Sequence, residues 1–150
     1  MISLTHDSEI LDLKIREIFG DLETKGFIIQ NASIKHTDAI GNYAEVVVKN
    51  KTTGRSILFW YIPPRIHPGG ISIFLQNDSG DTFSLSEYLT QNKLESQLSR
   101  SIVLANYDGK FDENIESLLK AAKAIIFQYL DKYLFGGEWE SIPIQWGDMK

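Results

Sequence analysis

The chain has 150 residues, 43% hydrophobic and 23% charged, and carries a net charge of −5 from 15 basic and 20 acidic side chains. That balance excludes a disordered chain and fits one globular domain, and the absence of cysteine excludes disulfides, thiolate-held zinc and thiol chemistry. Apolar runs reach only about six residues against the roughly 20 a membrane-spanning helix needs, and Met1 to Asp7 lack the basic start and apolar core of a secretory leader, so a cytoplasmic protein is expected.

The charge is unevenly spread. Residues 1–24 hold six acids and two bases, 25–77 hold two acids and six bases, and 78–118 hold eight acids and three bases. An acidic total argues against phosphate-backbone binding, and two acidic stretches suggest a face that meets a basic partner.

Residues 8–22 are predicted helical, because Ile10, Leu11, Ile15, Ile18, Phe19 and Leu22 recur at three- and four-residue steps. Asp7 or Ser8 is expected to cap its start, and Gly26 to supply a left-handed stop. Phe27–Thr37 reads as a first strand and Asp38–Asn42 as a turn. Ala44–Ile62 reads as a hairpin around Thr52-Thr53-Gly54, a three-residue loop with glycine in the left-handed position. That register sets Val48 opposite Leu58 and Val46 opposite Trp60, on one face with Ala44 and Ile62. Glu45, Val47 and Lys49 then share the other face with Ile57, Phe59 and Tyr61. A four-residue loop exchanges these partnerships; the shorter one is preferred because it gathers the uncharged residues of the first arm. Ile57–Ile62 is apolar at all six positions, so it needs cover on both faces, with Leu58 and Trp60 on one and Phe59 on the other.

Residues 63–70 are a proline- and glycine-rich loop that cannot sit inside a ladder. Ile71–Gln76 is a further strand with Ile71, Ile73 and Leu75 on one face, 77–81 a turn, and Thr82-Phe83 a short fourth arm. Ser84 and Glu87 have capping-box spacing ahead of a helix over 85–92, and a second helical piece is expected over 94–105. The long helix, 112–134, is expected to be capped by Asp112, carries Ile115, Leu118, Leu119, Ala122, Ile126, Tyr129, Leu130, Tyr133 and Leu134 as one apolar stripe, and ends before Gly136-Gly137. The aromatic tail, 139–146, is expected to pack and is the internal candidate for covering the second face of the sheet. Strands gathered between helices, joined by links too short for parallel crossovers, predict a single α+β domain over 1–150. Its antiparallel sheet of about four strands packs against a long C-terminal helix and an N-terminal helix.

No catalytic or metal motif stands out. His36 with Asp38, and His67, lack helical metal-ligand spacing. Gly69-Gly70 precedes a strand rather than the helix start that a phosphate site uses, and Asp78–Asp81 lacks the later carboxylates of a calcium loop. The chain is therefore read as a non-enzymatic protein-binding module without cofactor or metal, its most specific form being an immunity- or antitoxin-like inhibitor of a basic toxin. Asp21, Glu23, Glu113 and Glu116 are the expected contact acids, with Trp139 and Trp146 as aromatic anchors. Nucleic acid is not expected, because the tail aromatics are flanked by Glu138, Glu140 and Asp148. Two alternatives stand beside this reading. One is a small-molecule-binding or catalytic domain with a pocket between sheet and long helix, near His36, Arg65 and His67. The other is a homodimer through the leftover sheet face or an edge strand.

Overall fold

The computed structural model describes residues 4–39, 41–62, 70–91, 111–136 and 139, and in it the described helices bury their apolar sides against one face of an antiparallel sheet. The α+β class and the pairing of an N-terminal with a long C-terminal helix are as expected. The predicted helix over 94–105, most of the 63–70 loop and Trp146 lie outside the described residues.

Helix α1 spans Leu4–Phe19 and continues as a 3-10 helix over Gly20–Lys25. Leu11, Ile15, Phe19 and Leu22 point into the core. Gly26 ends the segment at φ 91°, its N–H donating to the carbonyls of Leu22 and Glu23, a conformation open to glycine at no Cβ cost. The start differs from expectation. Asp7 and Ser8 do not cap the helix; they lie inside it, 3% and 7% exposed. The reason is tertiary: the Asp7 carboxylate accepts a hydrogen bond from the Tyr61 hydroxyl.

Burial pushes the Asp7 carboxyl above its ordinary value of 3.8, outweighing the Tyr61 hydrogen bond and the nearby His6, which pull it down. A carboxyl raised in this way binds its proton more tightly folded than unfolded. Its contribution to stability is complete below the ordinary carboxylate value and is lost as pH rises through the folded value. Asp7→Asn should therefore gain on the parent as pH rises from about 4. Thermal melts of both proteins across that range test this; a stability difference independent of pH would refute it.

Strands β1 (Phe27–Ile29) and β2 (Ser33–Thr37) both pair with β3 (Gly41–Asn50), at Ile29↔Val48 and Ser33↔Glu45 respectively. Between them the register slips by one residue, so the predicted strand 27–37 is split by a bulge at 30–32. One turn of α1 serves the polar groups there. Asp12 Oδ1 accepts the Ala32 N–H at 3.0 Å, while Arg16 Nη2 donates to the Ile29 carbonyl at 3.2 Å and to Asn31 Oδ1 at 2.7 Å. Asp12 and Arg16 also pair with each other at 2.9 Å.

The hairpin register is corrected by the structure. β4 (Ser56–Ile62) pairs with β3 at Val46↔Phe59, Val47↔Leu58 and Val48↔Ile57, so the loop is the four-residue Lys51–Gly54. The cause is Asn50. Its Oδ1 accepts the Thr52 and Thr53 N–H groups at 2.9 and 3.3 Å, and the Gly54 N–H closes onto the Asn50 carbonyl at 2.9 Å. Gly54 is left-handed as expected, at φ 74°. Ala44, Val46 and Val48 thus share the helix-covered face with Ile57, Phe59 and Tyr61, while Glu45, Val47 and Lys49 share the other with Leu58, Trp60 and Ile62.

Strands β5 (Gly70–Gln76) and β6 (Thr82–Ser84) complete the order β1–β3–β4–β5–β6. Ile73 and Leu75 fall on the helix side, with Ile71 packed against the same core. Ser84 caps the next helix, α2 (Leu85–Gln91), accepting the Glu87 N–H at 3.4 Å.

The long helix, α3 (Phe111–Tyr129), begins one residue before Asp112, which therefore lies in its first turn rather than capping it, and is followed by a short one, α4 (Asp131–Phe135). The predicted continuous helix breaks at Leu130 (φ −123°, ψ 8°). Bonds from the hairpin tip hold the final turn: Asn50 Nδ2 and Thr53 Oγ1 each donate to the Leu134 carbonyl at 3.0 Å. Arg55 Nη1 donates to the carbonyls of Lys132 and Tyr133 at 3.4 and 3.3 Å. These side chains reach carbonyls of the last turn, where a helix runs out of intrahelical donors, and the Lys132 carbonyl also accepts the Gly136 N–H. No described helix is long and apolar enough to cross a membrane.

Candidate functional site

The helical periodicity of α1 and the following 3-10 helix sets Glu17, Asp21 and Lys25 along one wall of a groove, and α3 supplies Glu116, Lys120 and Lys123 along the other. The groove measures about 700 Å³. Its floor is apolar, made by Ile18, Leu22, Ala124 and Phe127. Asp21 and Glu116, drawn from acidic stretches far apart in sequence, meet here as two of the expected contact acids. Glu113 lies in the first turn of α3, and Glu23 is exposed in the 3-10 helix.

The rim alternates in sign. Lys123 Nζ donates to Asp21 Oδ1 at 2.6 Å and to the Ile18 carbonyl at 2.7 Å. That bond, more than any other influence, holds the Asp21 carboxyl below its ordinary value. Glu116 meets Lys120 at 3.3 Å and Lys14 at 4.0 Å, and Lys14 meets Glu17 at 3.6 Å. The carboxylates remain open to water, with side chains 50% exposed at Glu17, 58% at Asp21 and 41% at Glu116. Exposed pairs of this kind are worth about 0–1 kcal/mol each, so they can be exchanged for a partner's charges at little cost.

Trp139 is half-buried on the helix side of the sheet, with ring centroids 5.4 Å from Phe83 and 5.2 Å from Tyr133 and the Arg55 guanidinium 5.4 Å above it. The start of the tail therefore packs on the covered face rather than the second one, because Phe83 points to the helices. The indole Nε1 of Trp139 is buried and has no hydrogen-bond partner among the described residues.

The second face carries an aromatic row that periodicity alone did not bring together. Tyr43, Trp60 and Phe74 come from three adjacent strands, with centroids 4.7 Å apart at each step. Trp60 Nε1 donates to Glu45 Oε2 at 2.7 Å. Tyr43 and Leu58 are buried and Trp60 is half-buried. Burial, and then the Glu45 charge, push the Tyr43 hydroxyl above its ordinary value. The alternating pattern of β3 and β4 implied such a row only once the register was known.

His36 sits on exposed β2, its Nδ1 2.8 Å from Asn42 Oδ1 and its Nε2 3.8 Å from Asp38. Arg65 and His67, its expected companions, lie outside the described residues. Between the sheet and the helices the described side chains Phe59, Ile115 and Leu119 belong to one buried core. Among the described residues no group of three or more histidine, aspartate or glutamate side chains could hold a metal ion. Set beside known proteins, the chain matches no family model, no curated protein and no solved structure.

Proposed function

We propose that the protein is a non-enzymatic, cytoplasmic protein-binding module that receives a partner in the groove between α1 and α3. The observation that supports this reading is an apolar floor rimmed by Glu17, Asp21 and Glu116 alternating with Lys25, Lys120 and Lys123. An apolar floor supplies the contact area, and a charged rim sets orientation and encounter rate. In its narrower form the partner is a basic toxin and the module its immunity- or antitoxin-like inhibitor, in keeping with the net charge of −5.

The test is retention on the immobilised protein. At low ionic strength a basic protein should be retained from lysate of the source organism, and salt of about 0.5 M, where the screening length is only a few ångströms, should release it. The double reversal Glu17→Lys with Asp21→Lys should weaken retention roughly tenfold without unfolding the chain, because the pairs it removes are exposed. A partner that ignores both salt and the reversal removes the groove reading.

A further inference from the structure

The outer edge of the sheet offers a second, differently built surface. All five residues of β2 are exposed, and among the described strands it pairs with β3 alone. Such an edge can accept an added strand through its main-chain groups. Beside it, on the helix-covered side, lies a groove of about 390 Å³ between α1 and the bulge, lined by Ser8, Glu9, Asp12, Asn31, Ala32 and Ile34. Because Ile34 pairs with Ala44, it points to the same side as α1, and it is 47% exposed. A strand laid beside β2, about 4.8 Å away, would turn every second side chain toward this groove.

We propose that β2 binds an extended segment of a partner protein by strand addition, with a lysine or arginine of that segment entering the groove between β2 and α1. The charge of the groove selects the occupant. Asp12 is committed to the Ala32 N–H and to Arg16, whereas Glu9 is exposed at the rim. Ile34 supplies apolar surface for the stem of a long cationic side chain. A second copy of the chain fits less well. Pairing centred on Lys35 would set Lys35 against its own counterpart, and directly opposed like charges are destabilising. On the groove side it would offer only Ile34 and His36. This surface rests on the protein-binding reading but does not use the groove between α1 and α3, so the two can fail separately.

A library of random short peptides displayed on phage, panned on the full chain, is the test, followed by amide NMR with the enriched peptide. The expected peptides alternate β-branched residues and carry a lysine or arginine. They should shift the amides of residues 33–37, lose binding when alternate peptide nitrogens are methylated, and bind Glu9→Lys roughly tenfold more weakly. Four results would overturn the proposal: no enrichment, a peptide whose basic residue is dispensable, shifts confined to the groove between α1 and α3, or self-association through β2. The third of these would leave the main functional reading standing, and retention of a basic protein unaffected by Glu9→Lys would do the same.

Discussion

Asn50→Ala should lower stability by about 3 kcal/mol, a fall in melting temperature on the order of 10 °C for a domain of this size. Asn50 is 4% exposed, and its one amide serves two elements. The oxygen receives two loop N–H groups, and the nitrogen binds the Leu134 carbonyl 84 residues away at 3.0 Å. Truncation removes the buried bond to Leu134 and leaves two part-buried loop N–H groups without their acceptor, and a polar group left unpaired costs more than its bond contributes. Thr53 also donates to the Leu134 carbonyl, so Thr53→Val should cost less, about 1 kcal/mol. Asn50→Asp keeps the loop acceptor but turns an anion toward that carbonyl, so it should resemble alanine rather than the parent. Denaturant midpoints of the three variants decide this. An Asn50→Ala protein within about 0.5 kcal/mol of the parent would show that the hairpin tip does not secure the end of α4.

Phe59→Ala should cost about 4 kcal/mol and Trp60→Ala about half of that, although the indole is larger. Phe59 is fully buried and meets Phe19 of α1 edge-on at 5.2 Å, so its removal opens a cavity between sheet and helices. Trp60 is half-buried on the face opposite the described helices, where losing it removes the hydrogen bond to Glu45 and the contacts with Tyr43 and Phe74. Near-neighbours in sequence, the two report opposite faces. Equal losses, or a larger one at Trp60, would contradict the observed layering.

Much of this architecture was legible in residue patterns. The apolar steps of α3 fell on the buried residues Ile115, Leu118, Leu119, Ala122 and Ile126, because a 3.6-residue period leaves one face to bury. Gly26 and Gly54 marked left-handed positions correctly, and Ser84 was found as a cap. The split of Phe59 from Leu58 and Trp60 followed from strand geometry alone. Of the candidate site, Asp21 and Glu116 stand out in the sequence only as separate acids, and nothing in their local sequence brings them to one groove.

Most of what differs shares one cause. The buried Asp7, the bulge at 30–32 and the break at Leu130 each involve a partner distant in sequence: Tyr61 for Asp7, the Asp12–Arg16 pair for the bulge, and the hairpin tip for the final helical turn. The loop length is set closer by, by the Asn50 side chain that receives the Thr52 and Thr53 N–H groups. Local propensity differs by only tenths of a kcal/mol to about 1 kcal/mol between such alternatives, while a buried polar group left without a partner costs about 1–3 kcal/mol. By itself the sequence determined the class of fold, the order of elements and the two-sided strand Ile57–Ile62, since these depend on hydrophobic period and turn chemistry. Only the tertiary structure decided the hairpin register, which depends on the hydrogen bonds that the buried Asn50 makes, and the grouping of the acids, which depends on how α1 packs against α3.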